Sequence, residues 1–403
     1  MIRIQSEEFS AATLALDNHY DQLYQPWNNE AAATVAQPCI GASAPARCCV
    51  LLVADRGDSP AGAGVSGQGK GYPLAAILGP TASAKSALAI FLAERLAGEI
   101  INYDSVQIYR GLDIGSAKVS SEERARVPHH LLDVADPNEV FTAGQYRRAA
   151  LQAVEGVRRR KKLPILAGGT GLYLRALLDG LFEGPQRSEQ LRDRIRAIQR
   201  RHNPPFIHRL LARMDPAAAA RIHPHDVQKL IRAIEVCILA GEPISVLQRG
   251  GGEGLTGFEI LKIGLNPDRT ELRCRINRRV EAMFTSGLIE ETRSVLFRDG
   301  QSARNGALKS LGYRQSLAAL EGEMTPQEAV EAAQAATRRY AKRQMTWFRR
   351  EANVLWFSGF GDDPAIQLRV LQTLRTVTGA CSGGPLLSLS QIHHPDPPEG
   401  LVL

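Results

Sequence analysis

The residues most suited to chemistry have the pattern of a phosphate-binding P-loop: Gly79, Pro80, Thr81, Ala82, Ser83, Ala84, Lys85 and Ser86. In such a loop, backbone N–H groups and a helix N-terminus converge on phosphate oxygens. The Lys85 ammonium adds a positive charge, and the Ser86 hydroxyl can ligate Mg²⁺. Ala84 replaces the usual glycine, at a cost on the order of 1 kcal/mol if its φ must be positive. The loop therefore predicts a diphosphate or triphosphate ligand, without specifying which.

A second candidate for chemistry is a carboxylate that follows a short apolar run. Asp104 comes directly after Glu99–Tyr103 in the sequence. In a doubly wound parallel sheet, the position just past a strand lies at the edge where active sites form. Asp104 is therefore predicted to lie at the active-site edge of the sheet, beside the loop that binds the phosphate. Spacing alone leaves an alternative open, in which Asp104 only caps the turn after the strand.

The pattern of apolar runs predicts the scaffold that would position these residues. From Pro73 onward, short apolar runs alternate with amphipathic helical stretches, and the runs include 74–78, 99–103 and 163–167. This alternation is typical of an α/β fold in which helices flank a parallel sheet. Because one such run precedes the P-loop and a helical stretch follows it, we expect a P-loop NTPase-like core.

The predicted organisation has five parts. Residues 1–72 end in a Gly/Ala/Ser-rich run and are expected to be a disordered extension. Residues 73–184 form the P-loop core, and the charged residues 185–224 form a helical insertion. Residues 225–360 complete the core with C-terminal helices, and residues 361–403 are expected to be a tail.

The composition indicates a soluble protein whose folded part is basic. The net charge of the 403 residues is +7; residues 1–72 hold four Lys/Arg and seven Asp/Glu, which leaves +10 on residues 73–403. A positive excess suits a polyanionic partner, because neutralised phosphates release condensed counterions. No apolar run approaches the roughly 18 residues of a membrane span, and there is no signal peptide pattern. We therefore expect a cytoplasmic protein with no membrane partner.

The segment around Asp104 points to a family. Residues 101–118 read INYDSVQIYRGLDIGSAK and resemble a loop of the tRNA dimethylallyltransferase (tRNA isopentenyltransferase) family. Further blocks match that family in order and spacing: PHHLLDV at 128–134, GGTGLY at 168–173, AARIHP at 219–224, DVQKLIRAIE at 226–235, GYRQ at 312–315 and TRRYAKRQMTWFR at 337–349. Each block alone is a weak pattern, but seven in this order are hard to obtain by chance.

The resemblance implies transfer of the dimethylallyl group from dimethylallyl diphosphate to N6 of adenosine 37, 3′ of the anticodon. The acceptors would be tRNAs that read codons starting with U. The resemblance further implies that Asp104 accepts the amine proton, that Thr81 and Lys85 act on the donor, and that Ser86 holds Mg²⁺ as cofactor. These groups and the loop amides would stabilise the charge that builds on the leaving diphosphate. A monomer is the expected state.

The resemblance also implies a set of tRNA contacts, because a stacked base must be flipped out to reach a buried donor. The predicted tRNA-binding residues are Asp104, Ser105, Val106, Gln107, Thr170, Arg192, Gln228, Lys229, Leu230, Ile231 and Arg232. The helical insertion would close over the anticodon stem-loop, and the basic face of residues 337–350 would follow the phosphates. Lys229 departs from the family, which commonly has Arg there, and so loses the bidentate fork.

Three alternatives compete with this function. An adenylate isopentenyltransferase would share the chemistry but needs neither the helical insertion nor a basic RNA face. A P-loop small-molecule kinase would need an acidic residue at the end of a later strand, whereas residues 163–167 run into Gly168 without one. A binding-only protein is suggested by Ala84, but the intact Lys85, Ser86 and Asp104 argue against it.

Overall fold

A six-stranded parallel sheet forms the centre of the protein. The computed structural model describes residues 71–202 and 205–378. Within them the strands are β1 (Tyr72–Leu78), β2 (Gly98–Asn102), β3 (His129–His130), β4 (Leu163–Ala167), β5 (Phe258–Leu265) and β6 (Val354–Phe357). The strand order is β3-β2-β4-β1-β5-β6, and all paired neighbours are parallel. The predicted fold class is confirmed.

Fourteen α-helices accompany the sheet in the described residues. They are α1 (Lys85–Arg95), α2 (Ser121–Arg126), α3 (Ala143–Arg159), α4 (Gly171–Leu178), α5 (Glu189–Arg201), α6 (Pro205–Met214), α7 (Pro216–Arg221), α8 (Val227–Ala240), α9 (Ile244–Leu247), α10 (Arg269–Thr285), α11 (Leu288–Asn305), α12 (Tyr313–Leu320), α13 (Pro326–Phe348) and α14 (Pro364–Thr378). None of these helices combines the length and the apolar character needed to cross a membrane.

Each face of the sheet has its own apolar core, because successive side chains of a strand point to opposite faces. Along β1, Ala75 and Ile77 pack with α1 and α14 on one face. Leu74, Ala76 and Leu78 pack with α3, α4 and the end of α13 on the other. The helices therefore cover both faces of the parallel sheet, as its predominantly apolar strands require.

Helices α5–α9 form a helical arm with a core of its own. The arm starts within the predicted insertion, but its core continues through α8, where Leu230, Ile231 and Ile234 are fully buried. The helical unit therefore extends beyond the boundary predicted at residue 224. The segments that enter and leave the arm are hydrogen-bonded to each other: the Leu255 N–H donates to the Leu178 carbonyl at 2.9 Å.

The C-terminal boundary also differs from the prediction. The sequence analysis assigns residues 361–403 to a tail, yet residues 364–378 form α14. Ile366, Val370 and Leu374 recur every four residues and are buried against α1, which is the spacing of an amphipathic helix. Residues 1–70 and 379–403 lie outside the described residues, so the expected extension and the end of the tail stay predictions.

The carboxyl ends of β1, β2 and β4 meet at one edge of the sheet. β4 pairs with both other strands, and Ala167 is in register with Ile77 of β1 and Asn102 of β2. The loops that follow these three strands therefore begin side by side. In open α/β sheets this edge is where ligands bind, so the fold places the P-loop and Asp104 in one site.

Candidate active site

The P-loop connects β1 to α1, and two of its alanines have left-handed backbone conformations. Ala82 has φ 63°, and Ala84 has φ 61° and ψ 36°. Ala84 therefore has the positive φ at which its methyl group costs on the order of 1 kcal/mol relative to glycine. Ala84 is also the N-cap of α1 and provides no side-chain cap. The N–H groups of the first helical turn are thus available to a phosphate ligand.

Lys85 folds back along the P-loop. Its Nζ donates to the Pro80 carbonyl at 2.7 Å. Burial lowers the pKa of Lys85 from 10.5 to about 7; the Arg279 guanidinium lowers it as well, and the Asp104 carboxylate opposes both effects. Because an anion favours the charged form of a neighbouring ammonium, a bound diphosphate would raise this pKa again.

Gln344 on α13 ties the P-loop to the loop that follows β4. Its Oε1 accepts from the Thr81 N–H at 2.8 Å, and its Nε2 donates to the Gly169 carbonyl at 2.8 Å. The Tyr340 hydroxyl, one helical turn earlier, donates to the same carbonyl at 3.2 Å. Gln344 is only 4% exposed. Helix α13 therefore fixes the loops of β1 and β4 relative to each other.

Asp104 has one carboxylate oxygen engaged in the turn and the other beside the cavity. Its Oδ1 accepts from the Val106 N–H at 2.9 Å, and its own N–H donates to Asn102 Oδ1 at 3.0 Å. Oδ2 lies next to Gly169, where an added Cβ would be 3.0 Å from it. Among the described residues Oδ2 has no hydrogen-bond donor. Asp104 therefore closes the turn and also keeps an oxygen that can accept a proton.

A cavity of about 740 Å³ lies between these loops and helices α10–α13. Its basic lining residues are Lys85, Lys118, Arg279, Lys309, Arg314, Arg339 and Arg343. Lys118 is paired with Asp113 and Asp133, whereas the other six make no ion pair within the described part of the chain. Burial lowers the pKa of Arg279, and the nearby Asp104 charge partly opposes this. Several unpaired cations in one cavity indicate an anionic ligand.

Part of the same cavity is apolar. Helix α10 and the start of α11 contribute Ile276, Val280, Met283, Phe284 and Leu288 to its lining. Of these, Ile276, Val280 and Leu288 are at most 4% exposed. Ligand cavities combine such an apolar lining with a few polar groups that fix orientation. The cavity therefore suits a ligand with an anionic head and a hydrocarbon tail.

Glu291 on α11 holds the loop that follows Asp104. Its carboxylate accepts the Tyr313 hydroxyl at 2.6 Å. It also accepts, at 2.8–3.3 Å, the N–H groups of three consecutive residues, Asp113, Ile114 and Gly115. Ser116 of this loop and Arg314 of α12 both line the cavity. Glu291 therefore sets the spacing between two walls of the site.

We expect a Glu291→Gln substitution to lower kcat/KM for the reaction in this cavity by about 10-fold to 100-fold. Hydrogen bonds to charged groups contribute about 1.5–3 kcal/mol each, and the amide nitrogen would oppose the backbone donors. Steady-state kinetics on protein shown to be folded by circular dichroism would measure the effect. Glu290→Gln is the matched control, because the Glu290 carboxylate is exposed and 3.8 Å from Arg293. Equal activity of both variants would contradict the assignment.

Four further predicted tRNA-binding residues lie at the same edge of the sheet as Asp104. Thr170 Oγ1 accepts from the Ser105 N–H at 2.9 Å and lies 3.0 Å from Ser105 Oγ. Gln107 Nε2 donates to the carbonyls of Ser116 and Ala117. Ser105, Val106 and Gln107 line the cavity. The structure thus brings these residues together with the P-loop, and their contact with tRNA stays a prediction.

The remaining predicted tRNA-binding residues lie at the start of α5 and on α8 of the arm. Arg192 is 9% exposed, and its Nε and Nη2 donate to the Glu235 carboxylate at 2.9 Å each. Leu230 and Ile231 are fully buried in the core of the arm. The prediction that the side chains of Leu230 and Ile231 contact tRNA is therefore corrected. The helical period that exposes Gln228 turns these two side chains into the core of the arm.

Gln228 and Lys229 are exposed on α8, as a surface contact requires. Arg232 is half-buried; it donates to Glu235 Oε2 at 2.8 Å and to the Pro185 carbonyl at 3.1 Å. Lys229 Nζ lies 2.6 Å from Asp226. The arm therefore presents part of the predicted set to solvent and uses the rest to stabilise itself.

The cavity offers oxygen ligands suited to Mg²⁺, although no group of three or more His, Cys, Asp or Glu in the described residues could hold a metal ion. The Ser86 side chain is exposed at the edge of this cavity. Mg²⁺ typically binds through one or two protein oxygens, with water and substrate phosphate completing its octahedron. The donor set fits this ion, and its presence stays a prediction.

Arg279, Gln344 and Glu291 were not identified as site residues from the sequence. Arg279 is one of several arginines along α10, and nothing in their spacing singles it out. Gln344 is an uncharged residue within a basic helix, four positions after Tyr340, which is a weak signal. Glu291 lies far along the chain from the loop it holds, so only the fold reveals its partners.

The fold and the cavity define a P-loop α/β protein whose site combines several cations with an apolar wall. Residues 107–351 match the family model described as IPP transferase. A tRNA dimethylallyltransferase from Koribacter versatilis (strain Ellin345) is 55% identical over 303 residues, which cover 75% of this chain and 98% of that protein. One from Solibacter usitatus (strain Ellin6076) is 50% identical over 295 residues, which cover 73% of this chain and 95% of that protein. The chain belongs to the tRNA dimethylallyltransferase family.

Solved structures agree with this assignment. The full-length tRNA isopentenylpyrophosphate transferase from Bacillus halodurans is 37% identical with a TM-score of 0.56, covering 76% of this chain and 96% of that one. A eukaryotic dimethylallyltransferase, whose crystal structures show it acting on tRNA, is 25% identical with a TM-score of 0.65. The match covers 76% of this chain and 79% of that one. The chain is therefore an enzyme that prenylates tRNA, and the kinase and adenylate alternatives are not favoured.

Proposed function

We propose that the enzyme transfers the dimethylallyl group from dimethylallyl diphosphate to N6 of adenosine 37 in tRNAs that read codons starting with U. The observation that carries this proposal is that Asp104, the P-loop, unpaired cations and an apolar wall line one cavity. The diphosphate suits the cations, and the five-carbon tail suits the wall of Ile276, Val280 and Met283. The carboxylate lies where an acceptor amine would meet the donor.

The donor is held mainly through its diphosphate. The N–H groups at the start of α1, Lys85 and Arg279 supply positive charge, and Thr81 is kept in place by the bond from its N–H to Gln344. As the bond between the allylic carbon and oxygen breaks, negative charge builds on the leaving diphosphate. Positioned donors that stabilise such charge typically contribute the largest share of catalysis.

The acceptor amine needs a base, because N6 must lose a proton as its new bond to carbon forms. Asp104 Oδ2 can take that proton, while Oδ1 stays bonded to the Val106 N–H and fixes the carboxylate. In the overall reaction, the bond between the allylic carbon and oxygen of the donor breaks and a bond between that carbon and N6 forms. The N6 proton goes to Asp104, and diphosphate leaves. Proton transfer to a positioned base contributes about 10²–10⁴-fold to such reactions.

The metal and the RNA contacts complete the proposal. Ser86 would hold Mg²⁺, which when bound neutralises charge on the diphosphate oxygens. Adenosine 37 would be flipped out of the anticodon loop toward Ser105 and Thr170. The exposed residues of the arm and the basic surface of α13 would contact the stem-loop phosphates. We further expect the enzyme to act as a monomer in the cytoplasm.

The test uses labelled dimethylallyl diphosphate, Mg²⁺ and a synthetic anticodon stem-loop. We expect label on a stem-loop with adenine at position 37, and none on an otherwise identical stem-loop with purine there, because purine lacks the exocyclic amine. AMP serves as a second acceptor and should gain no label. Equal labelling of the purine stem-loop would exclude N6 of this base, and labelling of AMP alone would favour the adenylate reaction.

A further inference from the structure

We propose that the β6–α14 loop (residues 358–363) is a positioning element for the P-loop and acts through Gly361. The inference rests on the proposed role of the P-loop in binding the donor diphosphate. It concerns a segment that lies beyond the residues matched by the family model, which end at residue 351, and half of which was predicted to belong to a tail. Its basis is a set of contacts that the P-loop makes with residues outside the cavity lining.

The P-loop of this chain has a backbone conformation that its sequence disfavours. Ala84 stands at φ 61°, where alanine is strained and glycine is not. Ala82 is left-handed as well. A non-glycine residue keeps such a conformation only when its surroundings impose it. Something outside the loop must therefore hold Ala84 in place.

Gly361 makes that contact. Its N–H donates to the Ser83 carbonyl at 2.9 Å. A Cβ added to Gly361 would lie 2.4 Å from the Ala84 carbonyl oxygen and 3.0 Å from Leu88 Cβ. Since the first of these atoms belongs to the backbone, no side chain at position 361 fits without displacing one of the two loops. Position 361 therefore requires glycine, because its backbone lies too close to the Ala84 carbonyl for a Cβ to fit.

This contact orients a donor of the P-loop. In a trans peptide the C=O and the following N–H point in opposite directions. When the Ser83 carbonyl points to Gly361, the Ala84 N–H of the same peptide must point away from it. Ala84 itself lines the cavity, whereas residues 358–363 do not. The bond from Gly361 thus directs the Ala84 N–H toward the site of the diphosphate.

The β6–α14 loop is itself anchored on both sides. Arg275 of α10 donates to both carboxylate oxygens of Asp362 at 2.9 and 2.7 Å and stacks on the Phe360 ring at 3.6 Å. Gln367 Nε2 donates to the Gly361 carbonyl at 2.9 Å. Arg279, which lines the cavity, lies one helical turn after Arg275. The loop is therefore rigid enough to impose a conformation on its neighbour.

The test is a double-mutant cycle of Gly361→Ala and Ala84→Gly, with KM measured separately for dimethylallyl diphosphate and for tRNA. We expect Gly361→Ala to raise the donor KM at least about 10-fold, with the tRNA KM within about twofold. Adding Ala84→Gly should recover most of that loss, because glycine holds the left-handed conformation without support. Non-additivity of this kind marks coupled residues. Gly250→Ala is the control, since nothing lies within 4 Å of its added Cβ.

Asp362→Asn provides a second route if Gly361→Ala does not fold. It adds no heavy atoms and only weakens the anchor to Arg275, so we expect a smaller rise in donor KM, about threefold, again removed by Ala84→Gly. Additive effects of the paired substitutions, or an unchanged donor KM in both variants, would overturn the inference. Failure of the unsubstituted enzyme to transfer label would instead refute the proposed function.

Discussion

Replacing Asp104 with asparagine is expected to lower kcat for dimethylallyl transfer by about 10²–10⁴-fold, the range of general-base catalysis. The amide keeps an oxygen that can accept from the Val106 N–H, so the turn after β2 should persist. It cannot accept the proton that N6 must lose. Dimethylallyl diphosphate should still bind, because the P-loop and the cavity cations are unchanged. Single-turnover transfer of label and a separate donor-binding titration would measure the two effects.

Asp136→Asn is the matched control for this prediction. Asp136 also sits in a loop, where its half-exposed carboxylate pairs with Arg110 at 2.8 Å, and it does not line the cavity. Its variant should transfer at the normal rate. If Asp104→Asn retained full turnover, the base would have to be another group, and the carboxylate would serve only to cap the turn.

Replacing Lys85 with methionine is expected to reduce kcat/KM for the donor by about 10²–10³-fold, as is typical when one group that stabilises transition-state charge is removed. Methionine keeps most of the apolar stem but provides neither the charge nor the bond to the Pro80 carbonyl. Lys162→Met, at an exposed position before β4, is the control. Steady-state kinetics at saturating tRNA would measure the loss, and a variant with normal donor kinetics would contradict the role of Lys85.

The same residue should give the enzyme a pH dependence. The pKa of Lys85 is lowered to about 7 by burial and by Arg279. Below this pKa the ammonium is present and attracts the diphosphate; above it the amine is neutral and the attraction is lost. The donor kcat/KM should therefore fall as pH rises through about 7, since this parameter reports ionisations of the free enzyme. The donor kcat/KM measured over about pH 6–9 should show this decrease in the unsubstituted enzyme and not in Lys85→Met.

The fold was largely predictable because its signals are local. Apolar runs bounded by turn residues predicted β1, β2 and β4, and a glycine-to-lysine loop between a strand and a helix predicted the P-loop connection. The short β3 carries no such signal. Helix α14 was missed because its apolar spacing directly precedes a Gly/Pro-rich stretch, and the two were merged into one tail. The arm boundary was set too early because the helices that share its core continue well past residue 224.

The site was predictable only where its residues are contiguous. Asp104 and the P-loop stand in compact motifs, so both could be found from the sequence. The residues that hold them are distant in sequence: Gln344 lies 263 positions from Thr81, and Gly361 contacts Ser83. The positive φ of Ala84 could be stated only as a condition, because φ is set by these tertiary contacts. Arg192 was predicted to bind tRNA, and its buried pair with Glu235 could not be foreseen because Glu235 comes 43 positions later.

The way the arm joins the core has a consequence for how such an enzyme could arise. Because Leu178 and Leu255 are hydrogen-bonded neighbours, the chain could pass directly from α4 toward β5 without opening the sheet. The arm is thus a module inserted at a closed junction, with its own apolar core. Acceptor choice could then change by exchange of the arm, while the P-loop and Asp104 stayed as they are.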